Sequence, residues 1–187
     1  MSNSENRTTP LGTVTFDGEY ATIAFSRRVG HPPEDVRSAI TDPKQLQGWY
    51  MTRATIVGGK GGSIDFWSGP AQFHVTGSIL SWDPPHLLEH EWKVEPRTGL
   101  PSGEDSVVRW ELARDGPETL ITFTHRRLTG RTALGFAPGV HGFLDRLAAQ
   151  LEDEPLPDWG RRVERMRRHY PTWPPSQPFA NPSEPEE

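Results

Sequence analysis

Between Pro138 and Leu151 apolar residues recur at spacings of three and four. Val140, Phe143, Leu144, Leu147, Ala148 and Leu151 form one stripe, the signature of a helix with a buried face. Asp145, Arg146 and Gln150 fall off that stripe, and spacing alone turns them to water. Pro138 and Gly139 punctuate the start of this helix, and Leu128 to Ala137 reads as a glycine-containing connection into it. Upstream the period changes to two. In Tyr20–Val29, Ala21, Ile23, Phe25 and Arg27 share one face, opposite Tyr20, Thr22, Ala24 and Ser26. Phe73, Val75, Gly77 and Ile79 share a face of the next long strand. Leu88, His90, Trp92 and Val94 do the same in Leu87–Glu95, as do Val108, Trp110 and Leu112, and then Ile121, Phe123 and His125. Seven or eight mostly antiparallel strands, one face apolar throughout, precede one strong helix. That order predicts an α+β domain whose sheet packs on the helix.

Turn and cap chemistry fills in the connections. Asp17-Gly18 marks a hairpin. Pro32-Pro33-Glu34-Asp35 opens a short helix, and Asp42 ahead of Pro43 caps a second one carrying Leu46, Trp49 and Tyr50. Gly58 to Gly62 lacks the spacing of a phosphate loop and leads into a strand, so it reads as a hairpin turn. Asp158 caps a last short helix, with Trp159, Val163, Met166 and Tyr170 at helical spacing and arginines between them that read as a solvated face. The expected organisation is a disordered lead-in at 1–10, a domain over 11–153, a helical extension over 154–170, and a disordered proline-rich acidic tail over 171–187.

Composition narrows the function classes. With a net charge of −5 the chain lacks the basic surface that nucleic-acid binding requires. The absence of cysteine excludes disulfides, thiolate metal sites and cysteine nucleophiles. No apolar run approaches the ~20 residues of a membrane span, and the polar start MSNSENRTTP has no secretory core, so the expected location is the cytoplasm. No metal-ligand spacing occurs, and neither a metal nor a cofactor is expected.

The order strand, two short helices, about six strands and a long helix carries the stretches DPKQLQGWY, PPHLLEHEW, ETLITFTHRRL and GVHGFLDRLAAQL. Together these resemble the START/polyketide-cyclase-like superfamily, SRPBCC, over about Tyr20 to Tyr170, and within it the branch named for the activator of heat-shock-protein-90 ATPase homologues. The resemblance implies a helix-grip fold, in which a curved antiparallel sheet grips a C-terminal helix with a cavity between them. It aligns Asp42, Pro43 and Trp49 with the branch's aspartate–proline start and following tryptophan. His90 falls where an apolar residue is more usual. Gly139, Val140 and His141 match a glycine–tryptophan–histidine motif, with Val140 in place of the tryptophan. That change enlarges or reshapes the expected cavity mouth. No catalytic set is carried over.

The expected ligand is a small hydrophobic molecule between sheet and helix. The site residues expected for it are Trp49, Phe73, His90, Trp92, Trp110, Phe123, His125, His141 and Leu144. Each aromatic residue has two readings, as cavity wall or as core filling. Trp67 competes with Phe66 for the inward face, and Asp65 reads as an outer-face carboxylate. Each histidine either meets a ligand or is bonded inside the core. Two alternatives follow from the resemblance. One is a cyclase- or aromatase-like enzyme, which requires His90 and His125 to converge on one point. The other is a regulatory module whose partner is a chaperone.

Overall fold

The computed structural model describes residues 9–69, 72–95 and 105–172. Most of the expected lead-in, the loop from Pro96 and all but the first residues of the proline-rich tail lie outside them. Eight strands form one antiparallel sheet: β1 (Thr13–Asp17), β2 (Tyr20–Val29), β3 (Arg53–Val57), β4 (Ser63–Ser68), β5 (Phe73–Asp83), β6 (Leu87–Val94), β7 (Ser106–Asp115) and β8 (Glu118–Thr129). Their order is β1-β2-β8-β7-β6-β5-β4-β3, so only the pairing of β2 with β8 joins strands distant in sequence. Two short helices, α1 (Pro33–Thr41) and α2 (Pro43–Trp49), bridge β2 and β3. The long α3 (Gly130–Leu151) and the short α4 (Trp159–Arg167) follow the sheet. This is the helix-grip α+β fold.

Alternation does what the pattern requires. Ala21, Ile23, Phe25 and Val29 of β2 are buried, with Ile64 and Phe66 of β4 and Ile121 and Phe123 of β8 on the same core-facing side. Trp67 takes the opposite, outer face of β4, against His74 and Arg53. Asp65 lies there too, bonded to His74 Nε2 at 2.9 Å. Register breaks in two places. Between Ile79 and Ser81 a bulge turns Trp82 to the Leu88 side, where the Arg37 guanidinium lies 4.2 Å from its ring. In β8 the extra residue coincides with Arg127, whose φ is +63°. The kink returns Leu128 to the core and aims the chain into α3.

Helix α3 begins at Gly130, a full two turns before Pro138, and Thr129 caps it by accepting from the Thr132 backbone N–H. Three glycines, Gly130, Gly135 and Gly139, and Pro138 hide the helical period before Val140. The buried set Leu134, Ala137, His141 and Leu144 nevertheless repeats at three and four. Pro138 sits inside the helix, where it removes one backbone donor. Asp145 and Arg146 also depart from the expectation that they face water. Asp145 is buried under α4, and Arg146 donates to the carbonyls of Trp49 (2.7 Å) and Pro157 (2.6 Å), tying α2 and the loop before α4 to α3. No helix among the described residues is long and apolar enough to cross a membrane.

Candidate functional site

A cavity of about 300 Å³ lies between the inner face of the sheet and the N-terminal half of α3, and α4 forms its far wall. β5, β6 and β8 contribute Phe73, Trp92 and Phe123. α3 contributes Phe136, Val140 and Phe143, and α4 contributes Trp159. Tyr50, just past α2, enters between these groups. It stacks on Trp49 (4.7 Å, 14°) and meets the Phe143 ring edge-on (4.7 Å, 87°). Phe143 in turn stacks on Trp159 at 5.2 Å. The interlocked rings hold the wall in shape, with offset and edge-on geometries that aromatic quadrupoles favour.

Four of the expected site residues, Phe73, Trp92, Phe123 and His125, line this cavity. The other five lie elsewhere. Trp49 is in the core, with Nε1 donating to the Ala39 carbonyl at 3.0 Å. Trp110 backs the wall, edge-on to Phe123 at 4.7 Å. His90 sits behind the wall, beside Phe66 and 6.0 Å from the Trp92 ring, with Nδ1 on the Glu91 carbonyl at 2.9 Å. His141 is fully buried on another side of α3, between Tyr170 and Thr9. Leu144 lines a different cavity. Tyr50, Phe136 and Trp159 also line the aromatic cavity and are not among the expected site residues. The helical pattern puts Tyr50 and Trp159 on the apolar sides of their helices without aiming them at a cavity. Phe136 is hidden in the connection that proves helical.

Polar groups in the wall are few and specific. Ser106 Oγ donates to the Trp92 carbonyl (2.8 Å), so it accepts from His125 Nε2–H (2.9 Å) and leaves the His125 Nδ1 lone pair uncommitted. Trp92 Nε1 is buried with no hydrogen-bond partner among the described residues. Burial pushes the Tyr50 phenol well above its usual range, so it remains a donor. Arg131 and Arg167 also line the cavity, and no carboxylate among the described residues does.

Burial lowers His90 to about 4, against smaller opposing contributions from the Glu91 carbonyl and the Glu89 charge. Burial, reinforced by His90, lowers His125 to about 3. Both are therefore uncharged in the folded protein near neutrality. The unfolded chain, with ordinary values of 6.5, binds more protons below that pH. Stability is expected to be full above pH 6.5 and to fall as pH drops towards 4, by up to about 1.4 kcal/mol per unit for each histidine. Urea midpoints at pH 7, 6 and 5 measure this, and His125→Gln should flatten the slope by about half. An unchanged slope in that variant would show that His125 is not held uncharged.

The sheet, the long helix it grips and the cavity between them define the helix-grip α+β class. Within that class the chain belongs to the family described as Activator of Hsp90 ATPase homolog 1-like protein, whose model matches residues 30–152. Among solved structures it is similar to CalU16 from Micromonospora echinospora, with TM-score 0.65 and 24% identity over 81% of this chain and 86% of that one. Protein MLL2253 from Mesorhizobium loti is similar at TM-score 0.64 and 20% identity, over 72% and 99% of the two chains. DynU16, from the dynemicin biosynthetic locus, gives TM-score 0.62 and 22% identity over 73% of this chain and 49% of that one. At these identities the likeness is one of fold. No curated protein matches the chain significantly.

Proposed function

We propose that this protein binds a small, largely aromatic molecule carrying at least one oxygen function in the cavity between the sheet and α3. One observation carries the reading: an aromatic-lined space of about 300 Å³ whose wall contains a buried Trp92 Nε1–H without a partner among the described residues. Ligand pockets combine an apolar wall with a few placed polar groups, and an orphaned buried donor lowers its cost by meeting an acceptor. Trp92 and Tyr50 supply donors and His125 Nδ1 an acceptor, so a ring hydroxyl or carbonyl is the function this wall complements. The place of DynU16 in a biosynthetic locus supports a small-molecule role and does not specify the molecule.

The test uses the chain's own fluorescence. 2-Naphthol is expected to quench tryptophan emission saturably. Trp92→Phe should weaken 2-naphthol about tenfold, the worth of one buried hydrogen bond, and leave naphthalene unchanged. Failure of both probes to bind the folded protein would overturn the proposal. The enzyme reading built on two histidines has less support. His125 lines the cavity while His90 is turned to the Glu91 carbonyl behind it, so the pair does not converge on a substrate atom. A chaperone partner rests on the family's description alone.

A further inference from the structure

A second cavity, of about 690 Å³, lies at the other end of α3 and shares no lining residue with the first. It opens between the C-terminal half of α3 and the inner side of β2 and β8, bordered by Thr9, Pro10 and Pro157. Val29, Ile121, Leu144 and Leu147 give it an apolar wall. Arg27 lines it from β2, at a core-facing position between Phe25 and Val29 where the alternation calls for an apolar side chain.

The Arg27 side chain is anomalous. The residue is 8% exposed. Nη1 donates to the Ser26 carbonyl at 3.0 Å, whereas Nε and Nη2 are buried without a partner among the described residues. Its guanidinium lies 5.1 Å from the Phe25 ring, a contact that spends no N–H. The carboxylate nearest in influence, Asp145, already accepts from Arg162 Nε (2.6 Å) and Thr9 Oγ1 (2.9 Å) and lies 3.4 Å from His141 Nε2. Buried donors in native proteins are paired, and each exception calls for an explanation. Nε–H and one terminal N–H of a guanidinium form a planar fork that matches the two oxygens of a carboxylate. Asp145, Glu152 and Glu154 line the cavity against Arg27, Arg28 and Arg162, so it holds no excess positive charge for a second acidic group on the occupant.

We propose that this second cavity binds a small monocarboxylic acid, with its carboxylate on the Nε–Nη2 edge of Arg27 and its alkyl chain along Leu144 and Leu147. The site is independent of the aromatic cavity and of its ligand.

Calorimetric titration of the full chain with sodium hexanoate tests this, with hexanamide as the uncharged isostere. Saturable one-to-one binding of hexanoate is expected, with hexanamide at least tenfold weaker. Arg27→Met should weaken hexanoate at least tenfold. Its urea midpoint should equal or exceed that of the parent, because an unpaired buried cation has been exchanged for an apolar side chain. 2-Naphthol binding should be unaffected. Absence of hexanoate binding to the folded chain would overturn the proposal, as would equal binding of hexanamide, which would mean that water alone meets Arg27. Equal hexanoate binding by the Arg27→Met variant would also overturn it, since the acid would then sit elsewhere. The hexanamide comparison needs no variant and stands if Arg27→Met fails to fold.

Discussion

Replacing Asp145 by alanine is expected to lower stability by about 3–5 kcal/mol, the cost of breaking a buried ion pair by removing one member, and to lower Tm by roughly 6–20 °C. Arg162 Nε donates to its carboxylate at 2.6 Å, with both residues buried. Burial acts to raise the Asp145 pKa, but hydrogen bonds and charge from His141 and Arg162 outweigh it and hold the carboxyl below its usual value. Around this pair the bond directions close. Thr9 Oγ1 gives its one hydrogen to Asp145 and accepts from Arg162 and from His141 Nε2. His141 Nδ1 lies 2.9 Å from the Tyr170 hydroxyl, which accepts from the Gly12 N–H. One carboxylate thus fastens the chain before β1 and the helix after α3 onto α3 itself. Loss of it frees α4, and with α4 goes Trp159, a wall of the aromatic cavity. Urea unfolding measures the stability. Hydrogen exchange over residues 154–170 should show α4 opening ahead of the sheet. The double variant Asp145→Leu with Arg162→Met should recover most of the loss, because the buried pair is then replaced by apolar side chains instead of being broken. A loss under about 1 kcal/mol for Asp145→Ala would show that the pair contributes only as a surface pair does.

That network explains which features are legible in the sequence and which are not. Strand faces are readable because, away from the two register breaks, each side chain's face follows from parity, and the core-facing side of the sheet is apolar. The fold class follows from the order of elements. The start of α3 is not readable, since Gly135, Pro138 and Gly139 are all weak in helix interiors, and packing of the helix's buried positions on the sheet holds it together there. For Asp145 and Arg162 polarity predicts exposure. What buries them is a second polar layer, α4 and Thr9, whose docking no local period encodes. The histidines show the same limit. His90, His125 and His141 are all buried, yet they face a backbone carbonyl, a cavity and a hydroxyl pair respectively. Parity gives each strand histidine its face but not its neighbour. Arg27 is the reverse case. A cation on an otherwise apolar strand face stands out in the alternation of β2 itself, and that residue keeps two buried donors without partners among the described residues.

Filling the aromatic cavity from α3 is the sharpest test of where the ligand sits. Val140 occupies the position at which the resemblance places a tryptophan, and its side chain borders the cavity from the same helix face as Phe136 and Phe143. Val140→Trp adds an indole to a space of about 300 Å³ already bounded by Tyr50 and Trp159. In a closed core such overpacking costs about 1–3 kcal/mol. Here the ring enters empty volume at a half-buried position, so stability should change by less than about 1 kcal/mol, while a bound aromatic molecule loses the room it needs. The affinity for 2-naphthol is therefore expected to fall at least tenfold, equivalent to about 1.4 kcal/mol or more, with the urea midpoint nearly constant. Hexanoate at Arg27 should bind as before, because the two cavities share no lining residue. Undiminished 2-naphthol affinity in a folded Val140→Trp variant would place the aromatic ligand outside this cavity, and parallel loss of both ligands would mean that the added ring has shifted α3 as a whole.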